Sequence, residues 1–368
     1  PLSTLWLVRE MFKQSHNTVD ARVGNPVPWE HYDSAAGSSR AIAAMFRKHV
    51  YRIARKRRPL FQSVETVAHP ENRLLLKREV AQSEHLGNTP DGRQIYLCTM
   101  EQAPCMMREI GRLRELTFRS VGEGSGLPRD IDRFDRDYQH LVLWDGEELE
   151  IAGAYRLGPA RQILAQQGWR GLYSSSLFKY PDSLRPVIDQ GLELGRSFVQ
   201  PRYQSRNSLD YLWAGIGAYL GRYPGYRYLF GPASISPRYG SNAIARITGY
   251  YNTYYNGDHL GVQARTPFYP SPEQASASDN LFSGDDRQED FERLRDYLAE
   301  AGLQVPTLYK HYASAMQEGG VQFTAFNVDK DFENCVDSFV LADLELLKPK
   351  KRKRYLKGEG SGDGSTKT

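Results

Sequence analysis

The sequence predicts an α/β protein with a mixed central sheet flanked by helices. Two observations carry this. From about residue 92, strand-like runs alternate with helical ones, which is the pattern of a sheet covered by crossover helices. One internal hairpin, "HLVLWDGEELEIAGAYRLG" with its turn at Asp145-Gly146-Glu147, adds antiparallel pairing and makes the sheet mixed. At 368 residues the chain is long enough to bury a large core.

In chain order, residues 1–35 read as a short helix ("STLWLVREMF"), a strand ("TVDARVG") and an extended exit ("NPVPWEHYD"). This is too short to stand as a domain, and Pro1 in place of Met suggests a processed chain or a fragment. From Ser38 to Arg58, Ile42, Met45, Phe46, His49, Val50 and Ile53 recur at helical spacing. That helix shares Arg47, Lys48, Arg52, Arg55, Lys56 and Arg57, so it reads either as a basic amphipathic helix for an anionic membrane surface or as a linker helix with a solvated basic face.

"RQIYLCTM" then reads as a strand and "APCMMREIGRLRELTFRS" as a helix opened by Pro104. The loop "VGEGSGLPRDIDRFD" leads into the hairpin. "GLYSSSLF" and "GLELGRSFV" read as strands, "LDYLWAGIGAYLGRY" as a helix, and "YRYLFGPASIS" as a strand. Helices over about 238–252 and 286–302 precede the strand pair "QFTAF" and "DSFVLADLEL". Residues 271–287 read as a mobile surface loop. The expected divisions are 1–35, a basic helix and linker over 36–91, the α/β domain over 92–357, and a disordered Gly/Ser/Thr tail over 358–368.

The net charge of +4 conceals an asymmetry. Segments 47–58 and 348–357 hold seven Lys and Arg each and no acid, leaving the remainder net acidic. Such local basicity points to an anionic partner touched at defined places: a membrane surface, with no nucleic acid expected. No run of eighteen apolar residues is present to span a bilayer. Cys98, Cys105 and Cys335 are too scattered for a disulfide framework or metal site, so a reducing cytoplasmic setting is expected, with peripheral attachment to the inner face of the membrane. The eight histidines form no ligand cluster, and no metal is expected.

Several motifs fail on their own chemistry. "GEGSG" lacks the spacing of a hydrolase elbow, and "GIGAYLG" lies within an apolar helix, where glycines serve packing. His140 and Asp145 have His-x4-Asp spacing, but on a strand side chains five apart face opposite ways. What survives is a set of polar residues at strand and loop edges. Arg114, Phe118 and Arg119 share a helix; Asp130, Asp132 and Asp135 share the following loop; Arg156 lies in "GAYRLG", and Glu193 and Arg196 in "ELGRSFV". Strand alternation places Glu193, Gly195 and Ser197 on one face and Arg196 on the other with Leu194 and Phe198. A charge within a central strand is costly unless paired, so an Arg156–Glu193 ion pair is the structural alternative to a functional role.

"LRELTFRSVGEGSG", "DIDRFDRDYQHLVLWD", "EIAGAYRLG", "GLYSSSLF", "LELGRSFVQPRYQ" and "LWAGIGAYL" followed by "YRYLFGPASIS" resemble the ornithine–acyl-carrier-protein N-acyltransferase family. These are GNAT-fold enzymes, some labelled hemolysins, related to N-acyl amino acid and acyl-homoserine-lactone synthases. The resemblance covers about 92–357, including the closing "VPTLYKHYASAMQEGGVQFTAFNVDKDFENCVDSFVLADLE". "STLWLVREMFKQSHNTVDARVGNPVPW" resembles the end of a PlsC-type glycerolipid acyltransferase domain, which would place that domain's catalytic motif upstream.

The resemblance implies transfer of a fatty acyl group from an acyl-carrier protein, or from acyl-CoA, to an amino acid or aminolipid, with no bound cofactor. It also bears on "ELGRSFVQPRYQSRNSLDYLW", which has the strand–turn–helix layout of a phosphate cradle. GNAT enzymes hold the CoA pyrophosphate on backbone N–H groups of a glycine-containing loop there. Here "QPRYQSRNSL" has no glycine, which fits a carrier-protein donor or an inactive GNAT domain, and Arg202, Arg206 and Arg222 are either the contacts to an acidic carrier or ordinary surface arginines. The implied site roles follow: Glu193 as base or amine-orienting carboxylate, with Arg156 and Arg196 beside it; Asp132 and Asp135 for amine binding or support; Arg114, Arg119 and Arg196 to orient the amino-acid carboxylate or to brace those acids; Phe118 beside them. Phe178, Phe198, Leu229 and Phe230 are read either as an acyl tunnel or as core. A homoserine-lactone-like synthase, an upstream O-acyltransferase fusion, and a non-catalytic carrier- or membrane-binding module are the competing readings.

Overall fold

A computed structural model describes residues 12–13, 18, 21–33, 38–204 and 208–356. The chain divides into two compact units, Pro1–Thr66 and Val67–Thr368. In the first, the helix Ser39–Ala54 starts at Ser38, whose hydroxyl accepts from the Ala41 N–H. His49 is buried, and its Nδ1 accepts the N–H groups of Leu60 and Phe61 at 3.2 and 3.1 Å. Phe46 packs on Phe61 with ring centroids 4.8 Å apart, while Arg47, Lys48 and Arg55 stay exposed. The expected strand over 18–24 does not form where it is described, since residues 21–28 make no strand pairing. Most of the expected helix in "STLWLVREMF" and the tail beyond 356 lie outside the described residues.

The second unit is built on an eight-stranded sheet in the order β1-β2-β3-β4-β6-β7-β10-β9. These strands are β1 (Glu84–Asn88), β2 (Gln94–Thr99), β3 (Gln139–Asp145), β4 (Glu150–Pro159), β6 (Gly191–Val199), β7 (Tyr228–Ile235), β9 (Val321–Asp329) and β10 (Cys335–Asp343). Two short strands, β5 (Phe178–Lys179) and β8 (Gln263–Ala264), pair separately. All neighbours in the large sheet run antiparallel except β6 and β7. The fold class is therefore the mixed α/β sheet expected. One core packs the helices Ser208–Arg222, Gly240–Tyr254 and Thr307–Ala315 on one face. A second packs Arg73–Gln82 and Pro104–Ser120 on the other. Among the described residues no helix is long and apolar enough to cross a membrane.

Two features of β6 shape the site. Its parallel ladder to β7 runs only from Gly191↔Tyr228 to Glu193↔Phe230, after which the strands separate and open the middle of the sheet. On its other edge the register to β4 jumps from Arg156↔Gly195 to Ala154↔Phe198, so Arg196 and Ser197 lie in a bulge opposite Tyr155. Arg196 takes a left-handed φ of 52°, which an arginine adopts only when its surroundings hold it there. The bulge reverses the expected facing: Leu194 packs into one core and Phe198 into the opposite one.

Two segments differ from expectation. "GLYSSSLF" folds as the turns Gly168–Gly171 and Tyr173–Ser176, with only Phe178 entering a strand. Its serines satisfy local carbonyls, Ser175 to Leu172 and Ser176 to Tyr173, and this competes with a ladder. Within 271–287, Pro272–Asp279 is a helix whose capping box joins Ser271 and Gln274.

Candidate active site

Where β6 and β7 part, three cavities lie in a row, each sharing wall residues with the next. A cleft of about 620 Å³ is bordered by the 130–134 loop, Arg265 and the β9–β10 turn. It meets a waist of about 110 Å³ at Tyr173, Arg196, Asp329 and Phe332, residues common to both. The waist meets a groove of about 460 Å³ at Phe118, Glu123, Ser197, Ser234 and Leu308. Phe198, Val199, Leu209 and Leu212 make that groove apolar. The passage thus runs through the split sheet, charged at one mouth and apolar at the other.

A layered ion-pair network underlies the charged side. Asp135 is fully buried and accepts from Arg114 at 2.8 Å and Arg156 at 3.2 Å. Arg156 also donates to Asp132 at 2.7 Å. Arg196 lies 3.0 Å from Asp130 and 3.4 Å from Asp132, and donates to the Tyr173 hydroxyl at 3.0 Å. Asp132 and Asp135 also close a capping box that fixes the loop. Burial alone would raise the Asp135 carboxyl, but Arg114 and Arg156 outweigh it and hold it well below the usual carboxylate range. His140 Nε2 donates to the Asp135 carbonyl at 3.0 Å while Nδ1 faces Arg114 at 3.3 Å, which sets the neutral tautomer. Burial and then Arg114 bring its pKa down to about 4.

The waist carries a different group of acids. Asp337 on β10 is buried opposite Ser234, whose hydroxyl donates to it at 2.6 Å. Burial, reinforced by Asp329 and Glu123, pushes Asp337 up to about 8. Glu123, half-buried in the wall, is pushed up to about 7 by burial, and Asp329 is raised for the same reason. Groups poised near neutrality beside a fixed arginine are suited to taking a proton from an ammonium.

Residues 113–214 match the family model described as "Acetyltransferase (GNAT) domain". The chain is 32% identical to a glycine N(alpha)-acyltransferase of Bacteroides thetaiotaomicron, over 80% of this chain and 90% of that protein. This chain belongs to the GNAT-type N(alpha)-acyltransferases. A second glycine N(alpha)-acyltransferase, from Phocaeicola vulgatus, is 30% identical over 80% of this chain and 93% of its own length. An L-ornithine N(alpha)-acyltransferase of Brucella abortus is 34% identical over 40% of this chain and 55% of its own. The chain is an enzyme that transfers acyl groups, and a purely non-catalytic role falls away.

Within this acyltransferase the structure brings together Arg114, Asp132, Asp135, Arg156 and Arg196, of which Arg196 and Asp132 reach the cleft. The bulge turns Arg196 to the side of Glu193, contrary to plain alternation. The anticipated Arg156–Glu193 pair does not form, because Asp132 and Asp135 hold Arg156. Glu193 is buried behind the cavities and appears in the lining of neither cleft nor waist. It accepts from the Tyr138 hydroxyl and from the N–H groups of Ser174 (2.6 Å) and Tyr173 (3.2 Å), and so fixes the turn that carries Tyr173 into the waist. Phe118 lines waist and groove. Arg119 instead bonds Glu115 and the Leu127 carbonyl, fastening the loop with Ser125 and Gly126. Phe198 lines the groove, whereas Phe178, Leu229 and Phe230 are core.

Arg202 pairs with Glu150 at 2.8 Å and Arg222 with Glu84 at 3.3 Å, both on the surface, and Arg206 lies outside the described residues. His140 and Asp145 form no dyad; Asp145 caps its own turn by accepting from Glu147 and Glu148. Asp337, Glu123 and Asp329 escaped the sequence reading. Asp337 carries a signal: it is the one charge in the largely apolar "CVDSFVLA", the criterion that singles out Glu193.

Proposed function

We propose that this acyltransferase moves a fatty acyl group from the phosphopantetheine thioester of an acyl-carrier protein to the amino group of glycine, yielding an N-acylglycine for lipid synthesis. The observation that carries it is the passage whose apolar groove and charged cleft meet at a waist holding Arg196 and Asp337. The thioester enters by the groove and glycine by the cleft. Arg196 commits one Nη1 donor to Tyr173 and one Nη2 donor to Asp132, and its Nε lies 3.0 Å from Asp130, which leaves one N–H on each Nη for the substrate carboxylate. Asp337 removes the ammonium proton and later releases it to solvent; the free amine attacks the thioester carbonyl carbon, and the tetrahedral intermediate breaks its C–S bond as a proton passes from the attacking nitrogen to the leaving sulfur, giving amide and thiol. Backbone N–H groups of β6 beyond Glu193, where the ladder to β7 has ended, are suited to the oxyanion.

The waist of about 110 Å³ favours glycine over ornithine, and the stronger matches are to proteins named for glycine. The glycine-free stretch 200–209 favours a carrier protein over CoA. Initial rates of thiol release from palmitoyl-carrier and palmitoyl-CoA, with glycine or ornithine, test both choices. Glycine with the carrier thioester is expected to lead CoA by about tenfold or more in kcat/KM, as charge-steered encounter allows. No amide with any pair removes the proposal.

Segments 47–58 and 348–357 are further proposed to hold the enzyme at an anionic membrane, at about 1 kcal/mol per basic residue near the surface. Sedimentation with anionic liposomes should pellet it at low salt and release it at high salt. Failure to pellet at low salt rejects the attachment.

A further inference from the structure

The waist is reached from the charged cleft past Tyr173, Arg196, Asp329 and Phe332. Three of these are fixed by polar contacts. Tyr173 is held by its N–H to Glu193 and its hydroxyl to Arg196. Arg196 is held by Asp130 and Asp132. Asp329 accepts from the Asp331 N–H and so shapes the β9–β10 turn.

Phe332 differs. It sits on that tight turn just before two left-handed residues, Glu333 (φ 53°) and Asn334 (φ 63°). Its ring is held only by apolar and cation–π contact: edge-to-face with Phe118 at 5.6 Å, and under the Arg196 guanidinium at 4.7 Å. It is nearly buried, so the benzyl group fills the neck and does not face solvent.

We infer that Phe332 sets the size of the amine substrate: its ring closes the side of the waist where an α-substituent would project, and so confines the enzyme to glycine. This rests on the reading that the amine enters through the cleft with its carboxylate on Arg196. With that carboxylate anchored, any side chain on the α-carbon must find room in the neck, and the ring is the part of the neck not pinned by a hydrogen bond or ion pair. Exclusion by an apolar wall is worth about 10–200-fold per added carbon, so the wall can discriminate glycine from alanine without any polar contact.

The test is a ratio. Purified wild type and Phe332→Ala are compared for kcat/KM with glycine, alanine and ornithine at fixed acyl thioester. All three amines are assayed on the same preparation, so the fraction of folded protein cancels from each ratio. The expected result is that Phe332→Ala raises the alanine-to-glycine ratio by about 10–200-fold. Phe332→Leu, which keeps an apolar side chain in the turn, is expected to raise it less, and it serves as the readout should the alanine variant not fold. A wild type that acylates glycine while Phe332→Ala and Phe332→Leu keep its ratio overturns the gate and leaves the proposed function standing. A wild type that uses ornithine as readily as glycine also overturns the gate. A wild type that acylates no amino acid at all overturns the reading of the cleft on which the gate rests.

Discussion

Replacing Asp337 with asparagine will lower kcat by about 10²–10⁴-fold, the range contributed by a positioned general base. Asparagine mimics the protonated carboxyl in shape and can still accept from Ser234, so binding and fold should survive. The pH dependence fixes the sign. Asp337 is protonated, and inert as a base, below its raised value of about 8, so the wild-type rate should climb roughly tenfold per pH unit and level above it. In Asp337→Asn that limb disappears. Stability should move the other way. A carboxyl whose folded pKa exceeds its unfolded one favours folding at low pH, and that contribution is lost as pH rises through about 8. The amide never ionises, so the variant should be no less stable than wild type in alkali. Rates at pH 6–10 and denaturant titrations at pH 5 and 9 check both halves. A wild-type rate that is already flat from pH 6 to 8, or a variant within threefold of wild type, rejects Asp337 as the base.

Asp135→Ala will cost about 3–5 kcal/mol of folding free energy, because it leaves Arg114 buried without its counter-ion and Arg156 with Asp132 alone. At about 2–4 °C per kcal/mol for a domain of this size, Tm should drop by roughly 10 °C. A half-buried surface pair is the control: Asp189→Ala, which releases only Arg185, should cost about 0–1 kcal/mol. The acid limb follows from the same network. The folded pKa of Asp135 is depressed, so its contribution is present above its unfolded pKa and fades only as pH falls through a value below the usual carboxylate range. His140 acts earlier. It stays neutral in the fold down to about 4, so stability is lost as pH drops from 6.5 to about 4 while the unfolded chain takes up the proton. A loss under 1 kcal/mol in Asp135→Ala would mean the network is not what holds the loop.

From residue 92 onward most of the sheet could be read from apolar runs and turn residues, since each strand is a short run bounded by turn residues or helices. "GLYSSSLF" could not, because its turns depend on Glu193, twenty residues away, taking the N–H of Tyr173. The helix at 272–279 was legible in principle from Ser271 and Gln274, but its serines resemble loop. The network of arginines and aspartates is legible residue by residue, whereas its pairing is not: alternation assigns a face, and the bulge at Arg196, the residue after Gly195, changes that face. Depth was the other blind spot. Glu193 and Asp337 are both charges in apolar strands, and only the position of the split between β6 and β7 sends one behind the cavity and the other into it.

One measurement bears most directly on how this enzyme works: mass spectrometry of the products from purified protein given a palmitoyl-carrier thioester and isotope-labelled glycine, run beside Asp337→Asn. Labelled N-palmitoylglycine from the wild type, falling by about 10²–10⁴-fold in the variant, is the expected result. Equal labelled product from both proteins would contradict the chemistry assigned to the waist, and none from either would contradict glycine as the amine.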